Sequence, residues 1–538
     1  MSRKRAARPT AFTTRRRRPT AATSLGGFAS RGVCVCFLVL ALCWLYTRVT
    51  PTADQLTTTP KQETAAAGIN EVIGAEKHVG MGGTTSVTPE SVASTLLAWH
   101  GLELAAPPRR IQTLWAGYGS ISEVHARPLG AGADGEDLRL ILKLVTPPGG
   151  AADADADEGH ARKMLSYEVE QYFYEVVAPR LMTSSLHTNP AAVARCIATT
   201  RGLRAAEDRP GAADLLLRRG VVATLITDLR PAFPVEPGGK GAREMLDAAQ
   251  VGAALEWLAG FHGVSRAWVP ARAGDAEFEG LVRPPLEEVE RRKKNAGADE
   301  GKTVWLNGGY TYLATRRKEY AALAADSDSE WSAPFCAPWP SASASTTHGR
   351  LPVAERVADV LAPRGRASRP QESYIHGDVK SENLFATAPP TSAASADDAS
   401  GTAAVRVAFF DFQYVGLGLG VCDLAKLFTC SVPLRLLTDH RLADLSLELR
   451  MDAGEKRLLE LYRARLFEAS GKDDGGGDAV PLEYDWDLFV RHWEAALVDW
   501  LRFQMSWGAW GNTEWLEARV RSILSDDRFR TWLLSETS

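Results

Sequence analysis

The chain has 538 residues, 45% of them hydrophobic and 24% charged, an ordinary globular composition with room for two or three domain-sized units. The formal net charge of −4 hides an asymmetry: the first fifty residues carry nine Arg, one Lys and no acid, so the remainder stands at −14. An acidic body argues against nucleic acid as the main partner, and seven scattered cysteines suggest neither a disulfide framework nor a zinc site.

In chain order, residues 1–31 form a basic, Ser/Thr-bearing tail. An apolar run follows from Gly32 to Tyr46, within a segment taken as 32–48. Fifteen uncharged residues fall somewhat short of the ~20 that a membrane-crossing helix needs. The segment reads as a single-pass anchor with the N-terminus inside, since the positive charges precede it, or as a transit peptide for a plastid or mitochondrion. Residues 49–88, rich in Thr, Ala and Gly, read as a flexible stem.

Folded structure is expected from Thr88, which can cap a helix whose first residue is Pro89. Ile111 to Pro128 alternates apolar and polar residues around Gly117 and Gly119, which predicts strand, glycine turn, strand. Leu138 to Pro148 predicts a third strand with Lys143 in its middle. Lys163 to Leu181 predicts an amphipathic helix ending near Pro179. Gly220 to Leu229 is another buried strand, and Asp228 near its end joins the nucleotide-side candidates. This N-terminal unit is placed at 89–230.

The second unit, 231–538, is mainly helical. Ala248 to Arg266 is one long helix, and its His262 reads as a core residue rather than a site. Ser327 to Pro352 reads as a surface loop. The segment SYIHGDVKSENLF, Ser373 to Phe385, and the later AVRVAFFDFQYV, Ala404 to Val415, form the two halves of a hairpin whose tip is low in complexity.

Those halves carry the chemistry. Asp378, just past an apolar strand, can accept a proton from a hydroxyl that attacks phosphorus. The Asn383 amide oxygen and the Asp411 carboxylate are hard ligands of the kind Mg²⁺ takes when phosphates and waters supply the rest. Lys380 lies close enough in sequence to offset charge on the transferred phosphate. Lys143, inside an apolar strand, needs a partner if buried, and Glu170 on the following helix can serve, with Glu168 facing elsewhere. Gly117 and Gly119 alone are a weak signal, since nothing there completes a G-x-G-x-x-G. The order of the pieces carries the weight: glycine turn, strand Lys, helix Glu, His-x-Asp-x-x-x-x-Asn, then Asp-Phe.

HGDVKSENLF, FFDFQYVGLGLGVCDLAKLF and YEVEQYFYEVVAP together resemble the protein-kinase-like superfamily, in its aminoglycoside phosphotransferase and choline kinase branch, with most likeness to the CHK kinase-like (ecdysteroid kinase-like) group. The resemblance covers roughly Trp99 to the C-terminus. It implies an α+β, bilobal protein-kinase-like fold: a small β-rich N-lobe with one key helix and a larger helical C-lobe carrying a catalytic β-hairpin. It also implies ATP, Mg²⁺ and phosphate transfer to the hydroxyl of a small molecule. Carried over, Asp378 is the base, Asn383 and Asp411 the metal ligands, Lys143 the phosphate lysine and Glu170 its partner. His376 belongs to the catalytic turn as the residue that holds the loop, and Asp423 opens a helix that supports it.

D-V-K-S-E-N is more like true protein kinases than many small-molecule kinases are, which keeps open a protein or glycan acceptor in a membrane compartment. The short stretch between Asp411 and Asp423, with no A-P-E, argues for the small acceptor. A catalytically silent nucleotide-binding protein is the third alternative. Trp486, Trp493, Trp500 and Trp507 are spaced by sevens and read as a core seam, with a helix break expected before Trp507. The turn around Trp510 and Trp515 is the expected place for acceptor contacts.

Overall fold

A computed structural model describes residues 87–537, apart from 115–116, 131–136, 147–156, 184–190, 209–210, 238–244, 295–302, 340–350, 390–403 and 471–481. The basic tail, the Gly32–Tyr46 run and nearly all of the stem lie outside the described residues. Among the described residues no helix is long and apolar enough to cross a membrane.

The architecture is α+β. Helix α1 (Pro89–Trp99) starts in a reciprocal capping box between Thr88 and Ser91, with Pro89 in the first turn where its missing N–H costs nothing. Strands β1 (Leu102–Leu104), β2 (Arg109–Thr113), β3 (Gly119–Pro128) and β4 (Leu138–Val145) follow. Then come helix α2 (Glu158–Tyr172), a π-helical turn over Phe173–Val177, and α3 (Ala178–Thr183). Strand β5 (Cys196–Thr199), short helices α4 (Thr200–Ala205) and α5 (Ala213–Arg218), and β6 (Val222–Thr227) complete the smaller lobe.

The antiparallel sheet runs β1-β3-β4-β6-β5, with β2 also on β3. Alternation decides its two faces. Val124, Ala126, Leu140, Leu142, Leu144, Ala223 and Leu225 pack against α1, α4 and α5. Ile121, Glu123, Ile141 and Lys143 therefore share the opposite face, where Ile121 pairs with Lys143 and Glu123 with Ile141.

The expected helix end near Pro179 is not observed. The chain stays helical to Thr183, because the wide π turn relaxes the ladder and Pro179 falls in the first turn of α3, a position that tolerates it.

Residues 228–234 connect the sheet to the helical lobe, where Val235 bridges Ala386. Helix α6 (Ala248–Ser265) is capped by Asp247 and Gln250, buried along most of its length, and packs on strand β7 (Glu372–Ile375). Between them, the expected surface loop over 327–352 is not one at its start: Trp331 caps a short helix over Ser332–Cys336, and both Trp331 and Phe335 are buried. Residues 340–350 of that expectation lie outside the described residues, and α7 (Val353–Leu361) follows. Strands β8 (Leu384–Ala386) and β9 (Val407–Phe409) pair as the hairpin expected from the sequence. Strand β10 (Gly416–Leu419) pairs with β7, an element not read from the sequence. Helices α8 (Val421–Cys430), α9 (Ala453–Ser470), α10 (Trp486–Trp507), α11 (Thr513–Ser525) and α12 (Asp527–Glu536) complete the lobe. Helix α10 runs unbroken through Trp507, contrary to the expected break; the first glycine after it, Gly508, is its C-cap.

Candidate active site

Strand β7 is fully buried, and where it ends the chain turns sharply through His376, Gly377 and Asp378. Gly377 has φ +85°, and a Cβ there would sit 2.6 Å from the Gly309 nitrogen, so only glycine fits the turn. The turn is held from behind. Asp423, in the first turn of α8, accepts the N–H of His376 at 2.7 Å and of Gly377 at 2.9 Å. Burial works against the Asp423 charge, but the hydrogen bond from His262 (3.1 Å), with other nearby positive charge, more than offsets it and keeps the pKa below the usual range. His262 is fixed in turn by the Tyr462 hydroxyl at 2.8 Å. It is a core residue, as expected, yet it is linked to the turn through Asp423.

Both ring nitrogens of His376 are engaged with backbone. Nε2 lies 3.0 Å from the Phe410 carbonyl, and Nδ1 accepts the Asp378 N–H at 3.2 Å. That pairing requires a neutral ring protonated on Nε2, and burial lowers the pKa in the same sense. His376 is thus a positioning group in this geometry.

Asp378, Lys380 and Asn383 converge. The Lys380 ammonium is 2.8 Å from Asp378 Oδ2, and Asn383 Nδ2 donates to the same oxygen and to the Asp378 carbonyl at 2.9 Å each. Burial opposes the Lys380 charge, but the Asp378 carboxylate holds its pKa above the ordinary lysine range.

Asp411 follows β9 with φ +66°, a left-handed backbone shown by no other non-glycine among the described residues. Such a conformation stores strain of the sort found at functional sites. Phe412 anchors the next step, stacked on Phe173 of the π turn at 3.6 Å between centroids and 11° between planes.

Lys143 joins the two lobes. Its ammonium is 2.7 Å from Glu170 and 2.9 Å from Asp411. Burial alone would lower the lysine pKa, but the Asp411 and Glu170 carboxylates hold it above the ordinary range. Burial pushes Glu170 up against the pull of Lys143, with Asp411 adding to the rise. Glu168 faces away, paired with Arg292 at 2.9 Å.

The remaining candidates lie elsewhere on the sheet. Gly117 has φ +73°, and Gly119 approaches the Leu144 carbonyl so closely that a Cβ has no room. Asp228 does not join the Lys143 cluster. It lies at the other end of β6, where its N–H donates to the Arg139 carbonyl and its carboxylate is clasped by Arg230 at 2.7–3.1 Å. Arg230 also reaches Glu123 at 2.9 Å, and Glu123 is further bound by Arg109 and His125. Arg109, Glu123, Asp228 and Arg230 line a cavity of about 320 Å³ on the sheet face that carries Lys143. Sequence reasoning missed Glu123 and Arg230; the alternation of β3 is the signal that could have placed Glu123.

Close to Asp378 lies an aromatic wall. Tyr310 and Tyr414 rings are 5.2 Å apart, Tyr310 meets Phe503 edge-on, and the Arg316 guanidinium sits over Tyr310, Phe503 and Trp507. The tryptophan series divides. Trp493 and Trp500 are buried, Trp486 is half-buried, and Trp507 is 55% exposed. Trp515 is core and Trp510 packs edge-on against Trp500.

The donor set fits a hard divalent ion bound through substrate phosphates. Asn383 uses its Nδ2 for Asp378, which leaves the amide oxygen as an acceptor, and Asp411 supplies a carboxylate. Among the described residues no cluster of three His, Cys, Asp or Glu could hold a metal by itself.

No protein-family model matches the sequence, and no curated protein matches it. Among solved structures, the chain is similar to a choline kinase from Cryptosporidium parvum Iowa II, at 10% identity over 81% of this chain and 89% of that one, with a TM-score of 0.33. It is similar to an ethanolamine kinase from Plasmodium vivax at 11% identity over 83% and 85%, TM-score 0.29. It is also similar to an aminoglycoside phosphotransferase from Alicyclobacillus acidocaldarius at 13% identity over 85% and 98%, TM-score 0.28.

Proposed function

We propose that the protein is an ATP- and Mg²⁺-dependent phosphotransferase that phosphorylates a hydroxyl group of a small molecule. The observation that supports this most is the meeting of Lys143, Glu170 and Asp411 at one point, with Asp378 and Asn383 on the adjoining turn. In this reading Lys143 binds donor phosphate oxygens, oriented by Glu170. Asn383 and Asp411 would hold the metal, which when bound supplies charge neutralisation on the phosphates. Asp378 takes the acceptor's proton as the new O–P bond forms and the bond to the nucleoside diphosphate breaks. Lys380 balances charge beside it.

The protein or glycan reading is opposed by β10. The chain after Asp411-Phe412-Gln413 is taken up at once by a buried strand on β7 and then by α8, which leaves little room between Gln413 and α8 on which to dock a peptide. A silent nucleotide binder is opposed by the complete set of polar groups.

The test is ATP turnover with Mg²⁺ across hydroxylated metabolites, glycans and peptides, with Asp378→Ala as control. Turnover on small hydroxylated acceptors that the variant loses is expected. Turnover on peptides alone would sink the small-acceptor reading, and turnover by Asp378→Ala would sink the base. We also propose that the N-terminal segment is a membrane anchor or an organelle address. A Met1–Thr50 reporter fusion that stays soluble in the cytosol would overturn both.

A further inference from the structure

Helix α8 presents two charged side chains one turn apart toward the His376–Asp378 turn. Asp423 is fully committed there. Lys426 is not. It is 4% exposed, yet among the described residues its ammonium has neither a hydrogen-bond nor an ion-pair partner, and its aromatic neighbour is the Trp500 ring at 5.9 Å. An ammonium buried without a partner is costly. It lies against the active-site backbone: Nζ is 3.1 Å from where a Cβ on Gly309 would stand, and that point is 3.6 Å from the Gly377 carbonyl oxygen.

Lys426 borders a cavity of about 30 Å³ whose wall includes Thr311, Trp500 and Asp499. The unmet polar atoms around it are donors. The fully buried Nε1 of the lining Trp500 has no partner, nor does the buried Nη1 of Arg502, which stands behind the lining. Arg502 bonds the Thr311 carbonyl and Asp499, two of the cavity's lining residues. Asp499 is therefore ion-paired with Arg502, at 2.7 Å, and not with Lys426. One water needs about 10–15 Å³ in this measure, so the space suits two oxygen-sized atoms and is too small for a phosphoryl group.

We infer that this cavity is a subsite for one small carboxylate, held by the Lys426 ammonium with help from the unmet donors beside it. The carboxylate comes either from the phosphate acceptor, which would then be a hydroxy acid, or from a free anion. The first source rests on the phosphotransferase reading, and the second does not.

The test is thermal unfolding of the full chain in formate or acetate against sodium chloride at matched ionic strength, for wild type, Lys426→Arg and Lys426→Met. A saturable, carboxylate-specific rise in Tm is expected for wild type, retained in part by Lys426→Arg. Lys426→Met should weaken the apparent affinity at least about tenfold. The absence of a carboxylate-specific rise in wild type overturns the subsite, whether or not Lys426→Met folds. An equal rise in a folded Lys426→Met also overturns it and leaves water bridging Lys426 and Asp499. Turnover with short hydroxy acids and their methyl esters separates the sources. A preference for the acids that Lys426→Met loses assigns the carboxylate to the acceptor. A thermal response without that preference assigns it to a free anion. Absence of turnover on these acids with turnover on other acceptors likewise assigns it to a free anion, whereas absence of turnover in the wider acceptor screen counts against the phosphotransferase reading and leaves the thermal result standing.

Discussion

His262 Nε2 lies 3.1 Å from the Asp423 carboxylate, and through it helix α6 holds the backbone of the His376–Asp378 turn. His262 touches neither Asp378 nor Asn383, yet the position of both depends on it. His262→Ala is expected to lower kcat while changing KM for ATP little, and to cost about 2–4 kcal/mol of stability. Steady-state kinetics and urea unfolding check this. A change confined to KM would show that the contact does not position the base.

Lys143 stands between two carboxylates, so its removal is not a simple loss of one bond. Lys143→Met leaves Glu170 and Asp411 facing each other without a cation and should cost about 3–5 kcal/mol. Adding Glu170→Met should return part of that loss while activity stays absent. Denaturant midpoints for the single and double variants measure it, and additive losses would contradict the coupling.

Gly377→Ala is expected to abolish turnover and to destabilise by about 2–3 kcal/mol, because a left-handed φ and a blocked Cβ act together. The check is activity together with a melting curve. Near-normal turnover in the variant would mean that the turn can be rebuilt.

The ring around Glu123 predicts an acid limb. Its hydrogen bond with His125, together with Arg230 and Arg109, holds its carboxyl down to about 2, against an ordinary 4.5. A depressed carboxyl stabilises the fold above pH 4.5, and that contribution is lost as pH falls toward 2. Glu123→Gln should flatten the dependence of Tm on pH in that window and leave it unchanged near neutrality. Parallel curves for wild type and variant would remove Glu123 from the acid transition.

Two tryptophans spaced by fourteen should behave in opposite ways. Trp493 is fully buried on α10, so Trp493→Ala should cost about 3–5 kcal/mol. Trp507, exposed and stacked by Arg316, should cost about 1 kcal/mol or less when replaced. Equal losses on thermal unfolding would overturn the division.

What was legible in the sequence is local and chemical. His376, Asp378, Lys380 and Asn383 sit within eight residues, and the apolar neighbours of Lys143 marked it as a buried charge in need of a partner. Glu170 came from the motif likeness of its helix, and the structure brings it to Lys143. What stayed hidden depends on contacts far apart in the chain. The link from His262 to Asp423 spans 161 positions, and that from Arg230 to Glu123 spans 107. Strand β10 was hidden because Gly416–Leu419 has glycine at alternate positions, which carries little strand propensity. Lys426 was passed over because a lysine on a helix is usually solvated, and only packing reveals that this one is not. Asp228 was placed among the nucleotide-side candidates, but the register pairs Lys143 with Thr224, four residues before it, and Asp228 turns to Arg230 instead.

The pairing of β10 with β7 also bears on control. Backbone hydrogen bonds to a buried strand begin three residues after Gln413, and α8 follows directly. Chain held in this way has no loose loop for a covalent mark to swing in or out, so amide protons from Gly416 to Leu419 should exchange with solvent only slowly, with or without nucleotide. A phosphotransferase of the proposed kind would then not be switched through the segment between Gln413 and α8.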